Sequence, residues 1–169
     1  MIILGSIYLW RGRERRMKKW VSAIILVAII GYVGYYFAQN VLGNTDGMMT
    51  YLEDTEELTN DYLGLIEQEA LIDSEDVLYE FTENILLPGL RDILERSKEI
   101  GAQIDKDQLK EVHELHNRAI DLHIKAEEAW LAGEEPDSYY EESDALYLQY
   151  EEELDALAKK WGVEIEWLE

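Results

Sequence analysis

The chain is predicted to be all-α, a single N-terminal transmembrane helix followed by an antiparallel four-helix bundle. Three observations carry that prediction. Residues 20–39, WVSAIILVAIIGYVGYYFAQ, hold no charged side chain. After residue 47 the apolar residues recur at steps of three and four with short polar connections, the period of a half-buried helix. No run alternates apolar and polar at a period of two between turn signals, so no strand is expected.

The apolar stretch sets the topology. Its 18 residues from Val21 to Ala38 span about 27 Å as a helix, close to a hydrocarbon core of about 30 Å. Arg11, Arg13, Arg15, Arg16, Lys18 and Lys19 precede it, six of the chain's 15 basic residues. The positive-inside rule therefore places residues 1–19 in the cytoplasm and the rest outside. Trp20 stands at the inner boundary and Tyr32, Tyr35 and Tyr36 gather at the outer one, where amphipathic rings anchor a span at headgroup depth. Ala38 has bulky Tyr36 two places before it, so the A-x-A pattern of a cleaved signal is missing and residues 20–39 are expected to remain as an uncleaved signal-anchor. The first ten residues, MIILGSIYLW, are too few to cross a bilayer. Met17-Lys18-Lys19 opens the way many bacterial export segments do, and residues 12–16 are encodable by purine-rich codons resembling a ribosome-binding site. Translation is thus expected to begin at Met17, leaving residues 1–16 unmade.

Composition separates the two sides. Only Glu14 is acidic before the span, which leaves nine basic and 36 acidic residues beyond it, a net charge of −27 there. Such a surface repels nucleic acid and anionic lipid and attracts cations or basic partners. The chain has no cysteine, so disulfides, thiolate chemistry and lipidated cysteine are excluded and the span itself must be the anchor.

Residues 40–47, NVLGNTDG, read as a linker or a break in the helix. Tyr51, Thr55, Leu58, Tyr62 and Leu65 then define a first outer helix from Met48 to Gln68. Asp73 and Ser74 offer N-caps for a second, in which Val77, Leu78, Phe81, Ile85, Leu86, Leu90, Ile93 and Leu94 form the buried stripe. Pro88 lies inside it; the ring removes one helical hydrogen bond and meets the preceding turn, which predicts a kink or division near Leu87. Gly101 is expected to end this helix, and Asp105 or Asp107 to cap the third, which runs to Leu131. The fourth runs from Asp137 to Trp161 on Tyr147, Tyr150, Leu154 and Leu157, and stops at Gly162. Residues 163–169 are expected to cover one end of the core. Four such helices on short connections pack most simply up and down, so residues 48–169 are expected to form an acidic extracytoplasmic bundle.

The third helix carries the one constellation with chemical potential. Leu109, Val112, His116, Ala119, His123, Ala126 and Trp130 repeat at three and four, placing His116 and His123 in the seam about 10 Å apart along the axis. That distance is too long for one metal ion. His113 and His116 are better spaced to share one, yet His113 falls off the seam and is expected to be solvated. The alternative to metal or ligand binding is that each histidine bonds a tyrosine, carboxylate or carbonyl and adds register alone. Glu-x-x-His, H-E-x-x-H, phosphate-binding glycine loops, G-x-S-x-G and a calcium loop are all missing. No catalytic residue, cofactor or small-molecule substrate follows from the sequence.

Residues 83–90, ENILLPGL, continuing through Lys98-Glu99-Ile100 to Glu114-Leu115-His116, resemble a pattern in small exported proteins and lipoproteins of Gram-positive bacteria. The likeness covers about half of the outer domain, and the chain departs from the lipoproteins in having no cysteine to lipidate. It implies an exported helical domain and assigns no activity. The function expected is that of a single-span, membrane-anchored protein acting by protein interaction or envelope maintenance, without catalysis; the alternative is a ligand- or metal-binding bundle using His113, His116 and His123.

Overall fold

The computed structural model describes residues 25–26, 42–165 and 167–168. Within them the chain forms helices α1 (Leu42–Ala70), α2 (Glu75–Phe81), α3 (Leu87–Gln103), α4 (Asp107–Leu131) and α5 (Asp137–Lys160), with a π-helical turn, Thr82–Leu86, joining α2 to α3. Counting α2, the π turn and α3 as one arm gives the expected four-helix bundle.

Each arm buries one stripe. On α1 it is Met48, Tyr51, Leu52, Thr55, Leu58, Tyr62 and Ile66, spaced at three and four as a straight helix facing a core requires. The helix starts earlier than expected: residues 42–47, predicted to be a linker, are helical. The reason is tertiary. Thr45 Oγ1 donates to the Trp161 carbonyl at 2.6 Å, which ties the first turn of α1 to the end of α5 and offsets the poor helix propensity of Asn, Thr, Asp and Gly.

Pro88 acts as expected, by dividing the second arm. The turn before it widens to five residues, with the Leu87 N–H donating to the Thr82 carbonyl. This π turn absorbs the extra space the proline ring needs while the chain continues as helix. Gly101 does not end α3, which continues to Gln103. Lys106 stands at the N-cap of α4 with no side-chain cap bond. The last two helices end with glycines in the left-handed region, Gly133 at φ 73° and Gly162 at φ 78°. Behind each, an N–H reaches five residues back, Glu134 to Ala129 at 2.8 Å and Val163 to Ala158 at 2.9 Å, which satisfies carbonyls that the helix leaves open. Beyond Gly162, Val163 and Ile165 are buried and close that end of the core.

Neighbouring arms run antiparallel. Arg96 on α3 meets Glu57 and Asp61 on α1, Ser97 meets Asn117 on α4, and Ser143 on α5 meets the Ala119 carbonyl. Helix α4 packs closely against α5 on one side and α3 on the other. Its buried face is correspondingly broad, and takes in His113, Asn117, Ile120 and Ile124 beside the predicted line.

Among the described residues no helix is long and apolar enough to cross a membrane. The predicted span at residues 20–39 lies outside the described residues except for Ile25 and Leu26. Those two pair antiparallel with Trp167 and Leu168, in the register Ile25 to Leu168 and Leu26 to Trp167, a two-residue ladder where no strand was expected. The predicted anchors Trp20, Tyr32, Tyr35 and Tyr36 also lie outside the described residues.

Candidate functional site

The polar groups capable of chemistry meet in the centre of the bundle, at two levels along its axis. Each level pairs a tyrosine of α1 with a histidine of α4. Tyr51 and Tyr62 are eleven residues apart and His113 and His123 ten, so both pairs are separated by about 15 to 17 Å along their helices and come into register together.

At the first level His113 is the hub. Its Nε2 lies 2.7 Å from the Ser97 carbonyl, which can only accept, so Nε2 carries the proton. Nδ1 of the neutral ring then accepts from the Tyr51 hydroxyl at 3.2 Å, and Tyr51 in turn accepts from Tyr150 at 3.1 Å. Ser97 Oγ donates to Asn117 Oδ1 at 2.7 Å, which leaves its lone pairs toward His116 Nδ1 at 3.3 Å. The His116 ring is packed 5.0 Å from that of Tyr150 and 5.8 Å from that of Tyr147.

The surroundings keep these groups neutral. Burial lowers the His113 pKa, only partly opposed by the Ser97 carbonyl and Glu114. Burial, reinforced by neighbouring His113, pushes His116 down to about 3. Burial likewise raises Tyr51 and Tyr62 well above the ordinary tyrosine range, and Tyr150 to about 12.

At the second level Tyr62 bonds His123 Nδ1 at 2.9 Å. His123 Nε2 faces Glu127 Oε1 at 3.5 Å, one turn along the same helix, and Tyr140 donates to that same oxygen. Tyr62, His123 and Glu127 therefore line up as hydroxyl, imidazole and carboxylate, the order in which nucleophile, base and orienting group stand in a covalent catalyst. The environment works against that use: Tyr62 is 4% exposed, His123 2% and Glu127 1%, and burial disfavours the phenolate that would have to form. The arrangement is a buried polar network joining α1, α4 and α5.

The structure corrects one expectation and extends another. His113, predicted to be solvated, is fully buried at 0% exposure, whereas His116, predicted at the seam, keeps a partial exposure. The buried face of α4 is turned from the predicted line toward His113, Asn117, Ile120 and Ile124, because α1 lies across from it as well as α3 and α5 beside it. His123 lies in the seam as expected. The rings of His113 and His116 are 6.0 Å apart, with both His113 nitrogens turned to protein partners. Among the described residues no group of three His, Asp or Glu side chains is placed to hold a metal ion.

Tyr147 and Tyr150 were legible as core positions but not as partners of a histidine. Ser97, Asn117, Glu127 and Tyr140 gave no sequence signal beyond being polar residues near apolar stripes. The matching ten- and eleven-residue spacings of histidine and tyrosine were the one available clue.

No protein family, curated protein or solved structure matches the chain.

Proposed function

We propose that this chain is a single-span membrane protein that holds an acidic helical bundle outside the cytoplasm and acts there by protein contacts or envelope maintenance, without catalysis. The observation that carries this reading is the internal pairing of its histidines. His113 and His123 each spend both ring nitrogens on neighbours inside the bundle. They serve as register pins between α1 and α4, and the surface left for function is a carboxylate-rich helical exterior.

The anchor is supported by the uncharged run and its basic flank. Nine Val, Ile, Leu and Phe residues lie between Val21 and Ala38, and at about −0.3 to −0.6 kcal/mol each they favour insertion by roughly 3 to 5 kcal/mol. A two-residue ladder between Ile25–Leu26 and Trp167–Leu168 is small beside that, since even a complete two-stranded hairpin is marginal in water. In a bilayer the span is expected to form at the expense of the ladder. The likeness of residues 83–116 to exported Gram-positive proteins is in keeping with the same placement.

Protease added to right-side-out cells or spheroplasts should remove the bundle from Met48 onward. Protection of the bundle under conditions where a known external domain is cut would overturn the orientation.

A further inference from the structure

Gly64 stands in the interior of α1, where a glycine weakens a helix relative to alanine. Nothing in the bundle requires it: no atom lies within 4 Å of the place its Cβ would occupy. Gly89, across from it on α3, is different, because a Cβ there would stand 2.6 Å from Leu65 Cδ1. The two glycines open onto a groove of about 360 Å³ between α1 and α3, floored also by Leu65 and Ile93 and rimmed by Asp61 and Asp92. Its apolar surface continues beyond the floor. Ile85, one turn before Gly89, is 48% exposed, and Leu71, two turns beyond Gly64, is 82% exposed.

The charge around the groove is net negative, with Glu57, Asp61 and Asp92 against the one cation Arg96. Between Lys19 and Arg91 the chain contains no lysine or arginine, so α1 and α2 bring carboxylates alone. The two arginines of α3 are already engaged, Arg91 with Glu128 and Arg96 with Glu57, Asp61 and Asp92.

We propose that this groove receives an amphipathic α-helix of a partner protein, with small or apolar residues at i, i+3, i+4 and i+7 and lysine or arginine along its flanks. Gly64 lets a helix backbone approach closely, the apolar ends meet its stripe, and Glu57, Asp61 and Asp92, three carboxylates around the single Arg96, leave net negative charge for its flanking cations. A second copy of this chain is the wrong occupant, since its domain after the span carries a net −27 and would bring carboxylates to carboxylates. The inference rests on the reading that the chain works by protein contacts, and it names the surface and the partner chemistry.

The test uses the full chain in zwitterionic lipid nanodiscs and three synthetic 18-residue helices: one with a Leu/Ala stripe and lysine flanks, one with the same stripe and glutamate flanks, and one with the lysine composition scrambled. The striped lysine helix should bind at least tenfold more tightly than the other two. Gly64→Leu, which fills the groove, should weaken it at least tenfold with no loss of thermal stability. Ile85→Lys provides a second, exposed variant, and should weaken the lysine helix alone. Equal binding of the scrambled helix, or affinity within twofold in both variants, would overturn the groove. In native membranes, a photoreactive residue in place of Asn60 should crosslink a protein, and lose that product with Gly64→Leu, while one in place of Gln149 on α5 should not. Products from position 149 alone would reject the groove and leave the protein-contact reading standing; none from either would reject both. A crosslinked homodimer through position 60 would overturn the choice of partner.

Discussion

Gly101 faces His113 so closely that a Cβ on the glycine would stand 2.7 Å from the ring's Cδ2 and 2.9 Å from its Nε2. A helix-weakening residue is thereby kept inside α3 because the imidazole of α4 occupies the space. Gly101→Ala should destabilise the bundle by about 1 to 3 kcal/mol of overpacking, set against a gain in helix propensity of about 0.5 to 1 kcal/mol. Gly64→Ala, which meets nothing within 4 Å, should keep only the gain. Urea midpoints at unchanged m-value measure both, and a stabilising Gly101→Ala would show that the ring is not held where the structure has it.

The histidines should rank by their place in the core. His113→Ala leaves the Ser97 carbonyl and the Tyr51 hydroxyl without their partner and opens a void, at a cost of about 2 to 4 kcal/mol. His116→Ala removes a partly exposed ring held mainly by packing, and should cost about 1 kcal/mol. Their order in urea unfolding tests the correction to the predicted seam, which would have made His113 the least costly of the three.

Acid should unfold the bundle through His116. Folded, this ring resists protonation down to about pH 3, against an ordinary value of 6.5; across that window the unfolded chain binds more protons. Stability therefore falls as pH drops below about 6.5, by up to about 1.4 kcal/mol per pH unit for this group. His113 is shifted in the same direction and adds to the slope. A pH series of urea midpoints should flatten in His116→Gln; an unchanged slope would assign the acid sensitivity elsewhere.

Glu151 has the opposite dependence. Burial raises its carboxyl from 4.5 to about 7, so between those values the folded state binds more protons, and the group's contribution is present below about pH 4.5 and lost as pH rises through 7. Glu151→Gln should stabilise the protein at pH 8 by roughly 1 kcal/mol, a figure reduced for solvent screening at a partly exposed site, and have little effect at pH 4. Thermal melts at the two pH values decide it: equal effects at both would point to packing instead of ionisation.

What the sequence determined by itself was periodicity and its interruptions. The apolar steps of Tyr51 to Tyr62, of Leu86 to Leu94 and of Tyr147 to Leu157 specify helices because a stripe at 3.6 residues per turn can be buried in no other regular way. Pro88 specifies a local break because its missing N–H is a property of the residue, not of its neighbours. Glycine was less legible: Gly162 ends a helix as expected, whereas Gly101 sits within one, and the difference is the ring of His113 on another helix. Helix α1 begins at Leu42 because Thr45 finds the Trp161 carbonyl, a partner 116 residues away. The same holds for the histidines. Sequence spacing could place His116 and His123 on one line of α4, but how that face is rotated is decided by the helices packed around it. With α3 and α5 on its flanks and α1 across from it, α4 buries His113 most deeply and brings tyrosines at matching intervals to both polar levels. Burial and hydrogen-bond partnership are properties of pairs of helices, and one helix's sequence carries only half of each pair.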